Sequence, residues 1–226
     1  MRRPTLLAAS FSALLSLPSL ALAAAITVHN TGVDSSDVLV APGAQASFWA
    51  LSAEPAGAVE AIGSLPFRYF NVAYFADTAT AAWVSPQASG NAGQVGIYTY
   101  DLVINLTGLD PASASIVGNF GTDNDGAISL NANAPVATTG AAAFGAPTPF
   151  TINSGFVAGL NTIHLQVNNQ GDPTTFFVSF TSATANANAN AVQVTVPALS
   201  WPALAGLALL LAGLGALLAR RARSPR

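Results

Sequence analysis

A chain of 226 residues with seven Arg, no Lys and no Cys carries no disulfides and no lipidated cysteine, and it lacks a basic surface for holding nucleic acid. Six of the seven Arg lie at the two ends, so residues 26–195 keep Arg68 alone against ten carboxylates, a formal charge of −9. That stretch is long enough for one domain with a sizeable core, and its charge suits an extracellular matrix or bound cations.

Arg2 and Arg3 form a positive start, Leu6 to Leu20 an apolar stretch, and Ala21-Leu22-Ala23 the small-x-small pattern read by a signal peptidase. Residues 1–25 are therefore expected to be a signal peptide, cut near Ala23 to Ala25. Left uncut, the same segment would be an N-terminal anchor.

Residues 26–182 lack long helical periodicity and break into short alternating segments. Ala25–Asn30, Ala46–Leu51 and Phe67–Phe75 come first as predicted strands. Within Gln94–Leu106, Tyr98, Tyr100, Leu102, Ile104 and Leu106 face one way while Thr99, Asp101 and Asn105 face the other, the period-two pattern of a half-buried strand. Ser115–Phe120, Ala127–Asn131 and Pro149–Asn153 follow. Ile163, Leu165 and Val167 then alternate with His164, Gln166 and Asn168, and Phe176, Val178 and Phe180 with Thr175, Ser179 and Thr181; Phe177 breaks the polar side. Turn residues at Gly108-Leu109-Asp110-Pro111, Asn124-Asp125-Gly126 and Asn169–Pro173 separate these runs. The expected fold is all-β, a two-sheet antiparallel sandwich of jelly-roll type. Ala132–Pro147 reads as a small-residue loop, and residues 183–195, opening with an Ala-Asn alternation, as a flexible linker.

From Trp201 to Ala219 nineteen residues carry no charge, and a helix of them, rising about 1.5 Å per residue, would span roughly 28 Å, close to the hydrocarbon thickness of a bilayer. Arg220, Arg221 and Arg223 follow at once. They hold that end on the cytoplasmic side, which sends everything before Val196 across the membrane and leaves Trp201 at the interface.

Catalytic motifs are missing from the sequence: there is no Gly-x-Ser-x-Gly elbow, no His-Glu-x-x-His pair and no phosphate loop. His164 falls on the polar side of its strand and reads as a solvated imidazole. Asp123-Asn124-Asp125-Gly126 is the densest polar cluster. Its oxygens suit Ca²⁺, while the same residues suit a hairpin turn in which Gly126 takes a positive φ. No other cofactor is expected. Trp49 and Trp83 are candidate ligand-binding residues if they stack on a sugar ring at the rim, and core residues if they do not.

Two resemblances rest on these residues. The segment Val196-Pro197-Ala198-Leu199-Ser200-Trp201, the apolar run and the Arg220-Arg221-x-Arg223 cluster resemble the IPTL-CTERM sorting signal, a relative of the PEP-CTERM signals. It departs from that pattern in Val196 for Ile and Ala198 for Thr. The resemblance implies an exosortase-type transpeptidase as processing partner and residues 196–226 as the sorting segment. Ala82-Trp83-Val84-Ser85-Pro86, Tyr100-Asp101-Leu102, Leu106–Pro111, Gly118–Asn124, Ile128-Ser129-Leu130-Asn131 and Phe156–Thr162 together resemble the β-sandwich domain of many proteins bearing such tails, itself similar to galactose-binding-like jelly rolls. That likeness implies Asn131 as a further candidate ligand-binding residue.

The expectation is a non-enzymatic protein exported across the inner membrane. It would be held there by its C-terminal helix and then passed to the cell surface or matrix, where it is structural or adhesive and binds neutral polysaccharide weakly. The alternative is a secreted polysaccharide-active hydrolase, which would need a concave acidic pocket.

Overall fold

The computed structural model describes residues 22–91 and 93–188. The leader up to Ala21, the linker from residue 189 and the whole sorting segment 196–226 lie outside them. Among the described residues there is no α-helix, and no helix long and apolar enough to cross a membrane.

Two antiparallel sheets form the molecule. The first runs in the order β3 (Phe67–Arg68), β4 (Val84–Ser85), β11 (Thr175–Asn186), β6 (Ser115–Asp123), β9 (Thr148–Ile152), with β1 (Ala23–Ala25) along the end of β11. The second runs β2 (Ala50–Ala53), β5 (Gly96–Asn105), β10 (Leu160–Asn169), β7 (Asp125–Leu130), β8 (Ala137–Thr139). From β4 onward every connection except β7 to β8 crosses from one sheet to the other. The orders β4-β11-β6-β9 and β5-β10-β7-β8 are those of a jelly roll.

Period-two alternation builds the core. Tyr98, Tyr100, Leu102 and Ile104 on β5, Ile163, Leu165 and Val167 on β10 and Ile128 and Leu130 on β7 meet Ile116 and Phe120 on β6, Phe150 and Ile152 on β9 and Phe176 and Val178 on β11. Burying side chains of this size stabilises the fold by about 1.5–3 kcal/mol each. The first sheet carries a second apolar layer on its outer side. There Phe177, the residue that breaks the alternation of β11, packs with Ala81, Trp83, Tyr74, Phe75 and Phe144. Gly121 on β6 lies beneath this layer, where a Cβ would come within 2.7 Å of both Phe75 and Trp83.

Several segments differ from the sequence reading. The predicted strand Phe67–Phe75 ends at Arg68, because residues 69–81 leave the sheet edge to become this aromatic cover. The predicted strand Ala46–Leu51 is displaced to Ala50–Ala53, and Ala25–Asn30 to Ala23–Ala25. The predicted loop Ala132–Pro147 holds the edge strand β8. Residues 183–186, expected to open the linker, belong to β11. Their alternation of Ala with Thr and Asn is itself a period-two pattern: Ala183 packs on the core, Ala185 is buried in it, and Thr184–Asn186 pair with β1.

Candidate functional site

Neither candidate tryptophan stands at a rim. Trp49 is 0 % exposed, packs against Phe176 and Phe180 and donates its Nε1–H to the His29 carbonyl at 3.0 Å. Trp83 is 2 % exposed among Tyr74, Phe75 and Phe177, with Nε1–H donated to the Phe75 carbonyl at 2.9 Å. Both rings are packed on their faces and their one donor is satisfied. Stacking on a sugar, which needs an open face, is closed to them.

Asn131 is a brace. Its Nδ2 donates to the Gly155 carbonyl and to Asn161 Oδ1, both at 3.0 Å, while its Oδ1 accepts from the Thr162 amide at 2.9 Å. The amide therefore ties the end of β7 to the loop before β10, and φ of +53° turns the chain there.

The Asp123–Asp125 segment is not a hairpin. Asp123 ends β6 in the first sheet and Asp125 begins β7 in the second, so Asn124 is the crossing between sheets. Gly126 is required for close approach rather than for a positive φ: a Cβ there would lie 2.7 Å from Thr122 Cγ2. Asp123 Oδ2 accepts the Tyr74 hydroxyl at 2.7 Å, and its Oδ1 accepts Asn124 Nδ2 at 3.1 Å. Burial pushes the Asp123 carboxyl above the usual carboxylate range, and the Tyr74 hydrogen bond pulls it part of the way back. Asn124 Oδ1 accepts the Gln170 amide at 2.7 Å, while the Asp125 carboxylate accepts Asn168 Nδ2, at 3.2 and 3.3 Å, and Gln170 Nε2. The three side chains thus serve three different sets of protein donors. Among the described residues no group of three His, Cys, Asp or Glu is placed to share a metal ion.

The polar sides of β5, β7 and β10 meet on the outer face of the second sheet. Register places Asp101, His164 and Ser129 directly side by side on three adjacent strands, with His164 Nδ1 2.6 Å from Asp101 Oδ1. His164 is therefore half-buried and carboxylate-bound, where the sequence suggested a solvated ring. The row has the residue types of a nucleophile, base and orienting acid. Among the described residues, however, no hydrogen bond joins Ser129 to His164. The backbone of β10 is paired with β5 on one side and β7 on the other, which leaves it no amides for an oxyanion.

Two register positions along, on the same face, small Ala127 lies between Gln166 on β10 and Thr138 on β8. The short side chain leaves a groove of about 230 Å³, bounded also by Asp125, Asn168 and Ile97. The Gln166 amide and the Thr138 hydroxyl have no hydrogen-bond partner among the described residues, and Ile97 is 52 % exposed. Sequence alternation had placed Gln166 and Asn168 on a polar side. It carried no signal for the strand order that sets Asp125 and Thr138 beside them.

No family model, curated protein or solved structure matches this chain. The sandwich is therefore not tied by comparison to any sorting-signal family.

Proposed function

We propose that this chain is an exported, non-enzymatic β-sandwich of the cell surface or extracellular matrix, structural or adhesive in its work and weakly binding to neutral polysaccharide. Its surface carries the argument. Arg68 is the only Arg or Lys among the described residues, and it is engaged internally, donating to the Val40 carbonyl at 2.6 Å and to Asp77 Oδ2 at 2.9 Å. Among the described residues no Arg or Lys is left free to neutralise uronate, sulfate or phosphate, so uncharged hydroxyl-rich polymers are the matching partners. Delivery through the sorting segment, with an exosortase-type transpeptidase removing Val196–Arg226, completes the reading.

Intact mass of the protein isolated from its own cells tests it. Loss of the leader and of the segment from about Val196 onward is the expected result. A surface-exposed protein that still carries Arg220–Arg226 would replace processing with a simple anchor, and a chain beginning at Met1 would remove export by cleavage.

A second reading, the polysaccharide-active hydrolase, draws on the Ser129, His164 and Asp101 row. Such a row cleaves acyl rather than glycosidic bonds, so release of ester-bound acyl groups from a polysaccharide by the wild type, lost in Ser129→Ala and His164→Ala, would favour it.

A further inference from the structure

We propose that the groove over Ala127 is the glycan site, holding a single ring of a neutral polysaccharide on the outer face of the second sheet. The inference rests on the adhesive reading above and deepens it. The space, about 230 Å³, falls short of the roughly 300 Å³ at which drug-sized sites begin, and matches one small polar ring rather than a large ligand.

Its chemistry selects hydroxyl groups. A sugar hydroxyl both donates and accepts, and the groove supplies both partners: Gln166 offers an amide N–H₂ and a carbonyl, Thr138 a hydroxyl, and neither is used within the described protein. At one end the Asp125 carboxylate is held in place by Asn168 and Gln170, so it is preorganised to accept from the ligand without first ordering a mobile side chain. The Ala127 methyl and the exposed Ile97 side chain supply the apolar contact for the C–H face of the ring. Charged sugars fit poorly. Asp125 and Asp101 line the same face, and the only guanidinium of the described residues is paired with Asp77 elsewhere. No aromatic ring lines the groove, so each sugar ring is bound weakly. Retention on a polymer comes from repeated engagement along the chain or by many copies on a surface.

Affinity electrophoresis of the full chain, in a non-ionic detergent without a sugar headgroup, through gels containing dextran, mannan, galactan or alginate tests the assignment. Wild-type protein is expected to be retarded by at least one of the neutral polymers and not by alginate. Gln166→Ala and Thr138→Val remove the unused donors, and Ala127→Gln fills the floor. Each is expected to raise the apparent Kd about tenfold or more with the melting temperature unchanged. Retardation of the wild type with all three variants behaving alike would overturn this groove and leave the adhesive reading standing. No retardation by any neutral polymer would overturn both, and preferential retardation by alginate would overturn the ligand chemistry. If Ala127→Gln alone lowers the melting temperature, the two donor variants decide.

Discussion

The two sheets of this sandwich are built by the same alternation and yet present opposite outer faces. On the first sheet, residues 69–83 fold back over the strands, and Phe177 projects outward into Tyr74, Phe75 and Trp83. On the second sheet nothing among the described residues performs that service, so Asp101, His164, Gln166 and Asn168 remain at the surface. A strand face is polar or apolar according to what covers it. The cover here is a loop whose polar anchors include Arg68 to Asp77, the Trp83 amide to Asp77 Oδ1 at 3.0 Å, and the Tyr74 hydroxyl to Asp123.

Trp83→Ala gives the largest expected effect. Removing a ring that is 2 % exposed and touches three aromatic neighbours leaves a cavity, and large-to-small changes of this kind cost about 3–5 kcal/mol. Urea denaturation of the full chain measures it. A loss below about 1 kcal/mol would mean that the cover is loosely held and that the contrast between the faces is weaker than the packing implies.

The sequence pattern carried the interior better than the exterior. Strict alternation in β5 and β10 named their core residues, since burial on one face of a strand leaves a mark at every second position. Phe177 was also marked, as the one residue breaking its polar side, but a single anomaly does not say which distant segment will cover it. Residues 67–75 read as one strand because apolar and aromatic side chains serve a sheet and a covering loop equally well. At the candidate site the polar residues of β5 and β10 were visible. Their assembly was not, because it depends on β10 lying between β5 and β7, and pairing order is a long-range property. The tryptophans misled for a related reason: a large ring with one polar atom suits a binding rim and a core alike, and only the position of the His29 and Phe75 carbonyls decides between them. The Asp123–Asp125 run has the composition of a hairpin turn, and the crossing between sheets draws on the same short polar residues.

A pH series on Asp123→Asn tests the anchor at the edge of the cover. Burial raises the folded-state pKa of Asp123 above the ordinary value of 3.8, so the folded protein binds this proton more readily than the unfolded chain. The resulting stabilisation is fully present below 3.8 and is lost as pH rises through the folded value. Measured against Asp123→Asn, which cannot ionise, the wild type is expected to gain stability as pH falls from neutral through that interval and to gain nothing further below it. Parallel stability curves for the two proteins across this range would show that the Tyr74 hydrogen bond fully offsets burial, and that the anchor is insensitive to charge.

The smallest expected effect sharpens the comparison from the other side. Val103 on β5 faces outward on the second sheet, 57 % exposed and opposite Thr162 on β10. Val103→Thr keeps the β-branched shape that suits a strand and exchanges one methyl group already in water for a hydroxyl, so its effect on stability should stay within about 0.5 kcal/mol. The same measurement on Trp83→Ala should differ by several-fold, although both residues lie on the outer side of a sheet. A cost above about 1 kcal/mol for Val103→Thr that also grows with protein concentration would carry a definite meaning. Only a partner bound more tightly by the native surface makes stability depend on concentration, so that result would place a second copy of the chain over the second sheet and make its outer face a covered one after all.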